Sequence, residues 1–419
     1  MPKFRTLLKN RNFVLYSIGQ AFSQFGDRLV QIVLIGFIYK RWPGSTFQLA
    51  KLFFFTVIPA FLISPVAGVY IDRWNKRYVM IASDIFRAAA ILLIPLFFIY
   101  SKNIGPVYII VFLVFASACF FLPARLSIIP NLVSKEDLLL ANSASSMIWV
   151  LSGIAGFSFG GILAEWIGIK NSLYVNSFIY TISAFNFLLL LFYTSDSDLF
   201  AQSRSAPIPA EGVPKKSFLY ELAEGLKVVF FDKNIKVVAY IFFILSSMVG
   251  ALYLVIIVFI QEILQSMTKD IGIFSMCLFV GVLLGSYIYG KVGQSLPRAG
   301  TISASLLLVG VSVSIFAIVL KTMKSVPLGG VSAFFLGFFV SPVYVTANTV
   351  IHESIESSLR GRIFSSIGVI INAGFLLFML ISSTLADHID RFWILIACGA
   401  GFAIFGILII PIGLLKDLT

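Results

Sequence analysis

Gly68-Val69-Tyr70-Ile71-Asp72-Arg73-Trp74-Asn75-Lys76-Arg77 is the stretch on which the organisation of this chain turns. It is a short polar interruption between two apolar runs, 49–71 and 78–100. Each run is close to the roughly 20 residues an α-helix needs to cross a hydrocarbon core. Within the interruption a glycine is followed four residues later by an acid and then by a basic cluster. Gly68 lets one helix approach another closely. Asp72, at a helix boundary, is placed to hold charge and hydrogen-bond pairs that must break when helical bodies move, which is the chemistry of a gate lock.

The rest of the chain extends that pattern. Of 419 residues, 59% are hydrophobic and 12% charged, and the mean hydropathy is +0.99. That composition lies outside the range of soluble globular enzymes. Phe (43) and Gly (31) are abundant, which suits lipid-facing helices in close contact rather than a water-facing surface. The excess of 31 Lys+Arg over 19 Asp+Glu falls mainly in short loops, so it reads as topology rather than as a nucleic-acid surface. Cys119, Cys277 and Cys398 each sit inside an apolar run and read as small buried hydrophobes, with no disulfide or zinc framework. The basic start, Lys3, Arg5, Lys9 and Arg11, leads into a run too long for a cleavable signal, so the first helix is expected to stay.

Apolar runs place six spans at 12–39, 49–71, 78–100, 106–131, 140–166 and 171–193, and six more at 236–262, 270–292, 299–320, 326–350, 363–386 and 392–415. The expected fold class is an all-α membrane protein with twelve transmembrane helices in two six-helix bundles. The expected domains are an amino-terminal bundle 1–193, a connector 194–235 and a carboxyl-terminal bundle 236–419. The connector is polar over 194–217, and Phe218, Leu219, Leu222, Leu226 and Val229 then recur at helical spacing, as in a helix lying on a membrane interface. Basic residues concentrate on the side that carries the amino terminus, as with Arg73, Lys76, Arg77, Lys215 and Lys216. The opposite side holds fewer, including Lys40, Arg41, Lys102 and Lys170. The positive-inside rule then puts both termini in the cytoplasm of a plasma or inner cell membrane. Trp42, Trp166 and Trp393 fall at outer span ends and Trp74 at an inner one, where amphipathic rings anchor.

The 68–77 stretch, by spacing and location, resembles the inner-loop signature of the major facilitator superfamily. A second segment, Phe121-Leu122-Pro123-Ala124-Arg125 through Pro130-Asn131-Leu132-Val133 to Leu140-Ala141-Asn142, resembles the branch that contains macrolide and drug efflux proteins and bacterial lysophospholipid and siderophore exporters. Gly26-Asp27, Asp84 with Arg87, and Arg360-Gly361-Arg362 are similar to the same branch. The resemblance covers nearly the whole chain and implies the major facilitator fold, a secondary transporter and alternating access. Gly156-Phe157-Ser158-Phe159-Gly160-Gly161 resembles the antiporter motif of drug exporters, with Phe157 where that motif has proline. The carboxyl-terminal half has only a faint echo of the inner-loop signature, around Gly285 and Gly290, without its acid.

Charges inside spans are expensive, at least about 2.5 to 3.5 kcal/mol at the bilayer centre, so each is a functional candidate. Asp27 is the leading one, as a carboxylate for a cationic or polar substrate group or for a proton, with a structural pair to an embedded arginine as the alternative. Gln20, Gln24, Asp27 and Gln31 recur at spacings of 4, 3 and 4, a stripe expected to face a central cavity. Arg28 points about 100° away from Asp27 and is assigned no transport role. Asp84 and Arg87, at i and i+3, are expected to pair. With Gly68, Asp72, Arg73, Arg77 and Arg125 they make up the expected inner-gate set, Arg125 being within reach of Asp84 or of the Asp72 loop. The second half offers no mid-span ion, so coupling is expected in the first. Gly281 with Gly285 and Gly156 with Gly160 are expected to bring helices together.

The composite expectation is an exporter of an amphipathic small molecule such as a drug or macrolide, with protons as coupling partner, the lipid bilayer as surroundings and a monomeric state. A lysophospholipid translocator is the alternative within transport. A non-transporting membrane sensor is the alternative outside it. A channel would show a pore loop or charged ring, and an enzyme clustered nucleophiles, bases or ligands. His352 and His388 lie near opposite faces and cannot share a metal, and no P-loop is visible. No metal, cofactor or catalytic residue is therefore expected.

Overall fold

A backbone inside a bilayer must satisfy its own N–H and C=O groups, and helices do this within one segment. The computed structural model describes residues 4–71, 74–100, 104–193, 227, 233–293, 296–354 and 360–409, and among them no strand occurs. The first half comprises α1 (Phe4–Lys9), α2 (Arg11–Arg41), α3 (Thr46–Ile71), α4 (Lys76–Tyr100), α5 (Gly105–Ile128), α6 (Leu138–Trp166) and α7 (Gly168–Tyr193). The second comprises α8 (Lys233–Leu264), α9 (Lys269–Val292), α10 (Arg298–Met323), α11 (Val326–Ser354), α12 (Arg360–Ala386) and α13 (Arg391–Leu408). Twelve of these, all but α1, are long and apolar enough to cross a membrane, and the chain is a multi-pass membrane protein. The polar positions Asp27, Asp84 and Arg125 do not interrupt their helices. The interfacial helix expected over 218–229 lies outside the described residues, Lys227 excepted.

The chain divides into two units. Unit 1 holds Met1–Phe37 and Lys51–Pro214, and unit 2 holds Ile38–Ala50 and Lys215–Thr419. The grouping of Ile38–Ala50, the turn from α2 into α3, with the second unit has no counterpart in the sequence expectation.

In unit 1, a stretch of α2 is enclosed: Leu29, Val30, Ile32, Val33, Leu34 and Ile35 are all buried, which marks a central rather than a peripheral helix. A core of Leu7, Phe13, Tyr16, Met80, Phe121, Ile128 and Phe187 ties α1, α2, α4, α5 and α7 together. Close approach depends on glycine. A Cβ on Gly26 would stand 3.0 Å from the Tyr180 ring, and one on Gly19 2.7 Å from the Phe187 ring, so two absent side chains on α2 seat α7. In unit 2 the Gly281–Gly285 pair works as expected: α9 meets α11 so closely that Cβ atoms there would collide with the Phe334 and Phe338 carbonyls.

Candidate functional site

Asp27 stands midway along α2, and the residues that receive it come from helices distant in sequence. Its Oδ1 accepts from Arg87 Nη1 at 2.7 Å and from the Tyr180 hydroxyl at 2.8 Å. Arg87 Nη2 reaches Asp84 Oδ1 at 2.6 Å, the i,i+3 pair expected from sequence. Asp84 is further held by the hydroxyls of Ser23, 3.0 Å from Oδ1, and Ser183, 2.6 Å from Oδ2. The Arg87 guanidinium lies 4.6 Å from the Phe121 ring centre and 4.9 Å from that of Tyr180, adding a cation–π component in a dry setting.

The arrangement is asymmetric. Arg87 and Asp84 are fully buried, whereas the Asp27 side chain keeps 18% of its surface. One cation shared by two carboxylates leaves the network one negative charge in excess when both acids are ionised. Among the described residues no hydrogen bond to Asp27 Oδ2 is formed, and Asp27 is the one acid of the network with exposed side-chain surface.

The partners on α7 follow from a polar stripe in an otherwise apolar helix. Asn176 donates to the Gly26 carbonyl at 2.7 Å and Ser177 to the Ala88 carbonyl at 2.8 Å, and the Ser183 hydroxyl, with one proton to give, stands between the Gly19 carbonyl at 2.7 Å and Asp84 Oδ2 at 2.6 Å. Ser172, Asn176, Tyr180 and Ser183, spaced 4, 4 and 3, lie on one helical face. That spacing was the available signal for Tyr180 and Ser183, which charge-based reading missed.

The glutamine stripe is divided among different surroundings, with Asp27 and Gln31 keeping part of their surface. Gln20 is fully buried and Gln24 is buried. Gln20 exchanges two hydrogen bonds with Ser145 of α6, donating from Nε2 to its carbonyl at 2.7 Å and accepting from its hydroxyl at 2.9 Å. Gln31 accepts from Arg28 Nη1 at 3.0 Å. The physical reason is that α2 is surrounded: its polar face is divided between α6, which receives Gln20, and α4 with α7, which receive Asp27.

The inner-gate set also separates. Asp84 and Arg87 belong to the mid-helix network rather than to a gate at the helix ends, and Asp84 bonds to Arg87, Ser23 and Ser183 and not to Arg125. Arg125 is buried beside Tyr16, whose hydroxyl lies 3.2 Å from the Arg125 carbonyl and 3.1 Å from Ser145 Oγ. Its Nε and Nη1 meet no partner among the described residues. Arg77 is buried at the start of α4, where its N–H donates to Asn75 Oδ1 at 3.0 Å. Gly68 lies within α3, while Asp72 and Arg73 lie outside the described residues.

The antiporter-like segment is a helix-packing surface. A Cβ on Gly156 would stand 2.7 Å from both Arg28 Cβ and the Phe25 carbonyl, and one on Gly160 2.8 Å from Leu29 Cδ1. Gly161 is buried beside them. These glycines set the approach of α6 to α2.

A second polar cluster lies within unit 2, where α2 turns into α3. Arg391, at the start of α13, donates from Nε to Thr46 Oγ1 at 3.1 Å and from Nη2 to the Gly44 carbonyl. Its Nη1 meets Glu262 Oε1 at 2.9 Å. Asp387 accepts from the Thr46 N–H at 2.8 Å and the Ser45 hydroxyl at 3.2 Å, placing a carboxylate at the positive end of α3. Lys321 pairs with Asp390 at 2.8 Å.

Comparison with known proteins follows the same lines. The family model of the Major Facilitator Superfamily matches residues 16–265 and 238–417. The chain belongs to that superfamily and is a secondary transporter, not an enzyme. It is 24% identical over 404 residues to macrolide efflux protein A of Streptococcus pyogenes, covering 90% of each chain. It is 22% identical to the multidrug efflux pump Tap of Mycolicibacterium fortuitum, covering 93% of each. Its fold matches a POT family transporter solved with 5-aminolevulinic acid at a TM-score of 0.70, with 13% identity over 97% of this chain and 96% of that one.

Proposed function

We propose that the protein exports an amphipathic small molecule of the drug or macrolide kind from the cytoplasm by alternating access, with proton exchange at Asp27 as the coupling step. The observation that carries this reading is the Asp27 carboxylate: it is midway along a membrane-crossing helix, tied on one oxygen by Arg87 and Tyr180, and accessible at its other edge. Arg87 alternates between sharing itself across two carboxylates and serving Asp84 alone when Asp27 is protonated. A proton on Asp27 therefore changes the pairing at the junction of α2, α4 and α7 without leaving Asp84 unpaired. The efflux relatives support the direction of transport. Localisation to the cell membrane with cytoplasmic termini rests on the distribution of Lys and Arg.

The test is uptake and efflux of a labelled macrolide in proteoliposomes with and without an imposed pH gradient. Wild-type transport is expected to rise with the gradient. Asp27→Asn keeps the size and the acceptor oxygen that faces Arg87 and Tyr180, so it is expected to fold normally. It should reduce gradient-driven transport by about tenfold or more, equivalent to roughly 1.4 kcal/mol. Full coupled transport by this variant would remove Asp27 from the mechanism. Gradient-independent movement of lysophospholipid between leaflets, with no macrolide movement, would support the translocator alternative.

A further inference from the structure

We propose that Arg28, with Trp149 and Gln31, receives an acidic group of the cargo, so that the transported amphiphile is anionic or zwitterionic rather than a simple cation. This rests on the transporter reading above and, within the amphipathic molecules that reading allows, selects acid-bearing cargo over macrolides, which carry a basic amine and no acid.

The first argument is charge balance. Well inside the described spans of unit 1 stand Asp27, Asp84, Arg28 and Arg87, with Lys51 and Arg125 nearer the ends of α3 and α5, two acids against four cations. Both acids are held by Arg87. Arg28 sits midway along α2, where an uncompensated charge is costly, and among the described residues no carboxylate reaches it. Its contacts there are the neutral Gln31 amide oxygen at 3.0 Å and the Trp149 ring at 5.9 Å. Neither cancels a positive charge. A network negative at Asp27 beside an unneutralised guanidinium suits a ligand that brings an acid to Arg28, with or without a cation for the open edge of Asp27.

The second argument is shape. Trp149, Gly153, Gly156 and Gly160 are spaced 4, 3 and 4, one face of α6. Gly156 abuts Arg28 Cβ, and a Cβ on Gly153 would be 3.8 Å from Arg28 Nε. The two glycines form a trough along which the arginine stem runs, and its head emerges beside Trp149. Arg28 is only partly buried and the Trp149 ring side chain is exposed, so the guanidinium remains accessible. A guanidinium next to an exposed indole offers forked donors for a carboxylate or phosphate and an apolar plate for an adjoining hydrocarbon chain.

Three probes of equal chain length test the proposal: dodecyl phosphate, dodecylphosphocholine and dodecyltrimethylammonium. Binding to the full-length protein in nanodiscs is measured by tryptophan fluorescence at micromolar probe concentration. Dodecyl phosphate is expected to bind about tenfold more tightly than the ammonium probe, with phosphocholine between them. Arg28→Gln should abolish the preference for the phosphate head, while Arg28→Lys, retaining charge, should preserve most of it. If Arg28→Gln fails to fold, Trp149→Leu serves instead and should weaken binding of all three probes while keeping their order. Inorganic phosphate at the same concentration should not compete, and competition equal to that of dodecyl phosphate would overturn the amphiphile assignment. Equal binding of the three heads, or an unchanged preference in Arg28→Gln, would overturn the role of Arg28. Proteoliposome transport separates the two readings: sign-selective binding without transport would sink the transporter mechanism alone, and transport without sign selectivity would sink this proposal alone.

Discussion

Two ionic clusters, built from the same residue types, stand in opposite physical regimes. Around Arg87 in unit 1 the cation and Asp84 are fully buried among α2, α4, α5 and α7, and Asp27 alone keeps part of its surface. Around Arg391 in unit 2 the partners Glu262 and Asp387 keep 38% and 27% of their side-chain surface. In a dry site, removing one partner strands a charge, and the penalty of desolvation remains without its compensation. In a wetted site, water replaces the lost partner. The buried cluster is thus a near-obligatory part of the folded unit with one adjustable member, Asp27. The wetted cluster is a fastening whose strength can be changed in small steps.

The largest expected effect breaks the buried cluster. Arg87→Ala leaves Asp27 and Asp84 without their cation and should destabilise unit 1 by about 3 to 5 kcal/mol. Loss of the monodisperse peak in size-exclusion chromatography and a collapsed thermal midpoint would register it. Adding Asp84→Asn to that variant should recover part of the loss, because one stranded charge is removed. A midpoint unchanged in Arg87→Ala would show that the two clusters do not differ in kind.

A smaller effect is expected at the other cluster. Arg391→Ala removes the contacts to Glu262, Asp387, Thr46 and Gly44 but leaves Asp387 accepting from the Thr46 N–H, so the expected cost is about 1 kcal/mol. The protein should stay folded, with faster hydrogen exchange over 42–47. Exchange confined to other segments would mean that Arg391 does not secure this turn.

The smallest effect is a pH dependence. Asp390 has its carboxyl held below the ordinary 3.8 by the Lys321 ammonium and then by the Phe392 N–H. A carboxyl with a lowered folded-state pKa contributes stability that is complete above its unfolded value and disappears as pH falls through the folded one. Lys321→Met should therefore lower the thermal midpoint slightly near pH 6, and the difference should shrink as pH falls below 3.8 and through the lowered folded-state value, where Asp390 becomes protonated. A difference that persists at the lower pH would assign the effect to packing of Lys321 on the Phe392 ring, 4.1 Å away.

The comparison also explains what could be read in advance. Asp84 with Arg87 was legible because i,i+3 geometry is local. Asp27 with Arg87 was not, since the pairing depends on which face of α2 meets α4. Tyr180 and Ser183 carry no charge and stood out only through their spacing. Arg391 and Asp387 lie one helical turn apart, but Thr46 stands 345 and 341 residues away from them, and each is unremarkable by itself. Arg28 was set aside because its neighbours on α6 could not be foreseen from a one-residue offset along α2.

The amino-acid sequence by itself determined the twelve spans and the superfamily, because the length and apolarity of a span answer to bilayer thickness and backbone hydrogen bonding, both local requirements. Only the tertiary structure decided which embedded charges neutralise one another. Helix rotation and the glycine-governed distance between helices set those pairings, and neither is written in the period of any single helix.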